Sequence, residues 1–403
     1  MRLTQKLCAQ HLDYWFKQQW KRVGQRIPID TGAQAELERL GIKVIDAKEV
    51  LQDPKPVREN FVFDKLVPDP VVIQQEKAAY VLRDENVLLE GTAQAQVLLK
   101  TIQVDGFPKN VEEKLEQAKI SPSTNRNVQN AILASHLFDC EQKKTAIMKV
   151  PEKPMFVLPR NYGITDDRKN RLIISKLLFE CEKLHGRSLV FQRRLGNDLK
   201  CHIHFSKDDH PLQFDFNIDT IITSKRPLDP VKDRINSDLP DIFPLKSTIS
   251  IPVTKKYEIQ TVFPITQSTS FPNPHTIFLH FSPLSVGNLY GTPVTDSQFQ
   301  ARNMLKAFSV AAARAKQLYG DNATNLEKPV VVQSVHTDGK LFHFGTYQLN
   351  TLNLDGRDGL KNYWFQKPTT ELFHECKYDV GRPILTGYNS AVISYLNAFY
   401  GND

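Results

Sequence analysis

Apolar positions along this chain follow two spacings, one helical and one alternating, in separate stretches. From Leu88 to Glu90 the pattern turns helical through Ala93, Val97, Leu98 and Ile102, and it stops at Gly106-Phe107-Pro108. Two further helices are expected at 109–119 and 125–141, the second with Val128, Ile132, Leu133, His136 and Leu137 on one stripe. Thr165-Asp166-Asp167 places a capping oxygen and two acids at a helix start, which predicts a helix to His185 with Gly186 able to take the left-handed stop. Alternation then takes over at 189–193, 199–205 and 212–216, broken at 196–198 and 207–209, and reads as an antiparallel meander.

After a strand at Thr276 to Phe281, Thr295-Asp296 caps a helix running to Tyr319 and Gly320. At about 100° per residue, Met304, Leu305, Phe308, Ala311, Ala315, Leu318 and Tyr319 share a stripe that should face core, with Arg302, Lys306 and Lys316 opposite. Val330 to Val335 and Leu341 to Leu349 spell a hairpin around a two-residue turn at Asp338-Gly339. A last helix is expected from Asn389 to Phe399.

Proline punctuates the rest. Pro54, Pro56, Pro68 and Pro70 push their predecessors out of helical geometry and predict an extended arm over 31–87; Pro151, Pro154 and Pro159 mark a linker. Eight prolines between 223 and 274, among them Pro227, Pro230, Pro240, Pro244, Pro252 and Pro264, mark an insertion or partner-binding extension. The fold class is therefore α/β (mixed α+β): a mixed or antiparallel sheet flanked by helices over 88–403, with an N-terminal arm and a Pro-rich insertion.

Of 403 residues, 40% are hydrophobic and 24% charged, the balance of a folded chain that can bury a large core. The 52 Lys plus Arg exceed the 45 Asp plus Glu, for a net charge of +7. That excess suits a protein touching nucleic acid on some faces and protein on others, rather than one wrapped in phosphate. It is concentrated at the start: residues 1–28 hold Arg2, Lys6, Lys17, Lys21, Arg22 and Arg26 against Asp13, interleaved with Leu3, Leu7, Leu12, Trp15, Phe16 and Trp20. Such an acid-poor amphipathic segment is a candidate mitochondrial targeting segment over 1–30, or else an N-terminal arm laid on a partner. No stretch approaches the roughly 18 apolar residues of a membrane span.

Five cysteines (Cys8, Cys140, Cys181, Cys201 and Cys376) stand apart without a CxxC pair, which argues against a disulfide framework or zinc ribbon. The sequence carries no P-loop, dinucleotide fingerprint, GxSxG elbow or HExxH helix. Cys201-His202-Ile203-His204 puts two histidines on one strand face, two ligands where structural zinc needs four; His336, His343 and His374 stand alone, and Asp355-Gly356-Arg357-Asp358 reads as a solvated turn. No catalytic, cofactor or metal residue is assigned. What remains is basic. Arg193-Arg194, Lys225-Arg226 with Lys232 and Arg234, Lys255-Lys256, and a helix face of Arg302 and Lys306 with Phe299 and Val310 exposed nearby form the expected RNA-contacting set.

The runs at 313–320 (ARAKQLYG), 328–335 (KPVVVQSV), 337–344 (TDGKLFHF) and 348–351 (QLNT), with Pro272-Asn273-Pro274-His275-Thr276 upstream, resemble the mitochondrial large-subunit ribosomal protein thirty-seven family. Weaker similarity at Leu88-Leu89-Glu90-Gly91 and at 125–141 extends the resemblance over most of 40–403. It implies a non-enzymatic structural protein of the mitochondrial matrix, a scaffold contacting mitochondrial large-subunit rRNA and other ribosomal proteins. Among these is a paralogue once numbered thirty in the small-subunit series. The resemblance also implies a transit peptide, although the first forty residues match the family poorly. Two readings from other classes compete: a stand-alone RNA-modifying or hydrolytic enzyme built on the histidine-rich strands, and a metal-binding adaptor.

Overall fold

The computed structural model describes residues 17–21, 30–45, 72–144, 149–150, 153–157, 162–231, 235, 237–242, 246–283 and 285–402. Most of the segment read for targeting, and the prolines at 54, 56, 68 and 70, lie outside the described residues. The chain divides into two units, Met1–Pro68 and Asp69–Asp403. In the first, α1 (Ala33–Arg39) is a short exposed helix entered through Gly32 at φ 68°.

The second unit starts with β1 (Val72–Arg83), α2 (Gly91–Leu99), β2 (Thr101–Asp105), α3 (Lys109–Gln117) and α4 (Pro122–Leu133). There follow α5 (Asp166–Val190), β3 (Arg193–Lys207), β4 (His210–Ser224), β5 (Val253–Glu258), β6 (Asn273–His280) and α6 (Asp296–Tyr319). β7 (Asn325–Thr337), β8 (Leu341–Thr351), β9 (Asn362–Gln366), β10 (Thr370–Glu371), β11 (Glu375–Asp379), β12 (Arg382–Thr386) and α7 (Ala391–Gly401) complete it. Ten strands make one mixed sheet in the order β2-β9-β8-β7-β6-β4-β1-β5, with β3 on β4 and β10 on β8. The pairs β1/β4, β6/β7 and β2/β9 are parallel and the others antiparallel.

Both sheet faces are covered, and the period of two feeds both. Ile277, Leu279, Val332, Tyr347 and Leu349 join a core with α2 and α6. Phe278, Val335, Phe342 and Phe344 join a second core with α3, α4, α5 and α7. Strands buried on both faces lose the alternation of apolar and polar positions, and 330–335 (VVVQSV) is buried throughout, Gln333 and Ser334 included. β4 has an unusual place: β3 lines its whole length, so its other edge serves two strands, Leu212–Asp215 pairing with β1 and Thr220–Ser224 with β6.

Several expectations hold closely. Thr165 Oγ1 accepts from the Arg168 amide at 3.3 Å, and the helix breaks at Gly186 (φ 67°). Thr295 and Gln298 form a reciprocal capping box on α6.

Others need correction. Residues 72–83, read as arm, are a strand within the sheet. The helix expected through Ile102 ends at Leu99, where Lys100 adopts φ 49° and turns the chain into β2. α4 begins at Pro122 instead of 125, because Ser121 Oγ accepts from the Thr124 amide at 3.1 Å and Pro122 suits the first helical position. The three-strand meander is two long strands: Asp198, at φ 54°, absorbs the bend at 196–198 without ending β3. Two-residue turns with both residues at positive φ lie elsewhere, at Asp208-Asp209 (48° and 62°) between paired Lys207 and His210, and at Val380-Gly381 (44° and 75°) between paired Asp379 and Arg382. At Asp338-Gly339 only the glycine has positive φ, and the turn is closed by the Thr337–Phe342 pair and by Asp338 Oδ1, which accepts from the Lys340 and Leu341 amides.

The largest departure is α6. Every residue from Ala301 to Ala315 is buried, because α2 and the sheet enclose the helix on all sides. Alanine and serine at 301, 307, 309, 311–313 and 315 make the helix thin enough for this.

Candidate nucleic-acid interface

The ladder between β3 and β4 brings four of the expected basic residues to one end of a hairpin. Arg193 pairs with Ser224 and Arg194 with Thr223, and the Lys225 amide donates to Gln192 O at 3.4 Å. The arginine pair and the lysine–arginine pair, distant in sequence, thus sit at one strand end. Arg193 is half-buried and donates to Asn402 O at 2.8 Å, tying this corner to the end of α7. Arg194, Lys225 and Arg226 are exposed, and no acidic side chain among the described residues pairs with them. Several other surface cations are answered: Arg168 by Asp139, Arg171 by Asp167 and Asp198, Lys183 by Glu180, Arg357 by Asp241.

The remaining expected contacts scatter. Lys255 is exposed on the outer strand β5, and Lys256 pairs through its backbone with Gln74, its side chain lying outside the description. Lys232 and Arg234 lie outside the described residues.

Arg302 and Lys306 are not on a surface, nor are Phe299 and Val310. Lys306, 2% exposed, ion-pairs with Asp84, donates to Asn217 O at 3.1 Å and lies 5.5 Å above the Phe216 ring. Burial, with Arg302 nearby, pushes its amine down to about 8. Arg302 donates from Nε to Asp84 O at 3.0 Å and from Nη1 to His336 Nε2 at 2.7 Å. An arginine only donates, so His336 Nε2 is the acceptor; its proton then sits on Nδ1, facing His343 Nδ1 at 3.2 Å. His343 in turn donates from Nε2 to Asp296 Oδ1 at 3.0 Å, and Thr369 adds a second hydrogen bond to that oxygen at 2.6 Å. Burial first, then Arg302, holds His336 well below its ordinary pKa, and the His343 hydrogen bond holds the Asp296 carboxyl low. Phe281 stacks on His336 with centroids 4.4 Å apart. This row pins the first half of α6 to β7, β8 and the end of β1. The sequence hid it because two cations on the far side of an amphipathic stripe ordinarily meet water; the signal was the alanine-rich face beside them.

The other candidate chemistry stays dispersed. His202 is buried and His204 half-buried, and burial pushes His204 down to about 4. Burial raises the thiols of Cys201, to about 12, and Cys376, the opposite of what a nucleophile needs. Asp355 is no free turn: its Oδ1 accepts from the Asp208 amide at 2.6 Å, and the Gly356 amide donates to Asp208 Oδ1 at 3.0 Å. His374 is exposed beside Glu371 at 3.8 Å.

Sequence spacing missed one cluster. Asp167, Asp219 and His280 bring one ligand atom each to within 4.8 Å of one another, but Arg171 ion-pairs with Asp167 at 3.1 Å and the His280 amide donates to Asp219 Oδ2 at 2.7 Å. Both carboxylates are thus already engaged by the protein.

No helix among the described residues is long and apolar enough to cross a membrane. Residues 290–403, from the approach to α6 through α7, match the family described as Mitochondrial 28S ribosomal protein S30 (PDCD9). Over 72% of its length the chain is 28% identical to "Large ribosomal subunit protein mL37" of Rattus norvegicus and of Mus musculus. With the protein of the same name from Gallus gallus it shares 25% identity over 78% of its length and 70% of the relative's. The alignment covers 65% of the two rodent proteins, so the chain spans just under two thirds of their length. The chain is thus a relative of the mL37 proteins, in keeping with the family resemblance carried by its runs at 272–276 and 313–351.

Proposed function

We propose that this protein is a structural, non-enzymatic component of the large subunit of the mitochondrial ribosome, supporting mitochondrial translation by holding rRNA and neighbouring proteins in place. The observation that carries this reading is the similarity to large ribosomal subunit proteins across 72% of the chain. The unpaired cations Arg194, Lys225 and Arg226 supply a surface for phosphate, with Lys255 on β5 as an outlying contact. In this reading residues 1–30 target the chain to mitochondria, the Pro-rich insertion at 223–274 meets partners, and the paralogue once numbered thirty in the small-subunit series is one of them.

The enzyme alternative needs an acid and a base converging in an open cleft. The best acid–base row among the described residues, His336 with His343 and Asp296, is spent on holding α6, and His336 has no exposed surface. Sedimentation of a mitochondrial lysate tests the proposal. Co-migration with the large subunit, lost when the subunit is dissociated, is expected; nearly all the protein in a slow free pool refutes it.

A further inference from the structure

Beside the basic corner lies a groove that hairpin chemistry alone does not use. Arg194 and Thr223 are cross-strand partners, so their side chains share one face of the ladder, and Lys225 follows Thr223 by two residues. Across from them runs the segment 264–271, inside the Pro-rich stretch. With Arg194 and Thr223 it encloses a cavity of about 260 Å³ walled by Leu195, Leu199, Pro264, Ile265 and Phe271, with Thr266 and Thr269 also in the lining and Lys225 just outside it. Asn273 fixes the far end: its Nδ2 donates to Lys225 O at 3.1 Å and its Oδ1 accepts from Arg314 Nη2 at 3.0 Å.

Three features bear on what fits here. Positive charge at the rim has no acidic partner among the described residues, so the occupant is anionic. The walls are apolar and include an aromatic ring, so the occupant also has an apolar or π-rich part. The volume suits one base with its sugar and excludes a duplex, and single-stranded RNA is recognised in this way, with splayed bases against aromatic and apolar side chains. We propose that this groove seats one unpaired nucleotide of the ribosomal RNA, its base between Leu199 and Phe271 and its flanking phosphates on Arg194, Lys225 and Arg226. The inference rests on the ribosomal reading above and narrows the RNA it contacts to an unpaired position.

The purified full-length chain is titrated by fluorescence anisotropy with single-stranded A12 and U12 RNA and with the A12–U12 duplex, over a salt series. Binding of a single strand at least ten-fold tighter than the duplex is expected. Replacing Arg194, Lys225 and Arg226 by Gln together lowers single-strand affinity and reduces the slope of log K against log salt by about 2, since each single-strand phosphate contact contributes about 0.7. Thr266→Trp, at an exposed rim position, fills the groove, so it lowers affinity several-fold with an unchanged salt slope; thermal melts check that both variants stay folded. Equal affinity for duplex, or full binding by Thr266→Trp, overturns the proposal and leaves the corner a backbone contact only. So does an absence of RNA binding by the wild-type chain, with an acidic protein segment as the occupant instead. Lysate sedimentation separates the two readings: a chain found in the large subunit whose RNA binding ignores Thr266→Trp refutes the groove alone, whereas groove-dependent RNA binding by a chain absent from the subunit refutes the ribosomal reading alone.

Discussion

Arg194 and Arg302 have the same side chain and opposite duties. Arg302 is 4% exposed and holds Asp84 and His336, so removing it strands a buried histidine nitrogen and weakens the compensation of Asp84. Breaking a buried charged contact by deleting one partner costs about 3–5 kcal/mol, against about 0.5 kcal/mol or less for an ordinary surface change. Denaturant melts should therefore show Arg302→Ala strongly destabilised and Arg194→Ala unchanged; equal losses would place both on the surface. Gly345 offers a second test. A Cβ there would overlap the Trp364 ring on the neighbouring strand β9, and Trp364 is fully buried. Gly345→Ala should cost about 1–3 kcal/mol from overpacking, and Trp364→Leu in the same chain should return part of that loss, read as a favourable coupling in a double-mutant cycle. Additive losses would mean that the two positions do not meet.

Elements whose signals are local were legible. Thr165-Asp166-Asp167 start α5 and Gly186 breaks it, Thr295 and Gln298 start α6, and the β7–β8 hairpin was visible in its alternation. What sequence could not give depends on what lies across an element. The Asp338-Gly339 pair suggested a two-residue turn, whereas the turns with both residues at positive φ are Val380-Gly381 and Asp208-Asp209, the latter without glycine and held by Asp355 and Gly356 from a distant loop. Of the basic set, the order of Arg193-Arg194 and Lys225-Arg226 was plain, but their meeting needed the full register of β3 on β4. For α6 the core stripe held from Met304 to Ala315 but not at Leu318 and Tyr319, which are exposed past the edge of the core, and the opposite face was wrong at Arg302 and Lys306. Phe308, against Phe205, Phe214 and Tyr347, lies at the centre of the larger core. Phe308→Asp should bury an unpaired carboxylate, costing several kcal/mol, a large part of the stability of an ordinary domain. Tagged Phe308→Asp is expected to be depleted and absent from large subunits, with Arg194→Ala incorporated nearly normally; the reverse pattern contradicts both the packing of α6 and dispersed docking.

Over the whole molecule, burial lowers the pKa of His136, His204, His280 and His336 from the ordinary 6.5. The unfolded chain therefore binds these protons at a higher pH than the folded one. Their contribution is complete above about pH 6.5 and is lost as the pH falls below it. Asp139, Glu141 and Asp296, held low by hydrogen bonds, add losses in the same direction at more acidic pH. The melting temperature should fall steadily from pH 7.5 to 5, and less steeply when His204 is replaced by Gln; a flat profile would mean that these imidazoles titrate normally. The sheet's wiring bears on when the fold can form at all. β2, at residues 101–105, lies beside β9, at 362–366, and β1 docks on β4 some way down the chain. A chain threaded amino end first exposes β1 and β2 long before their neighbours emerge. Its contact order is high, so the sheet cannot close until nearly all the chain is present, and the wait leaves strand edges open to chaperones or to aggregation.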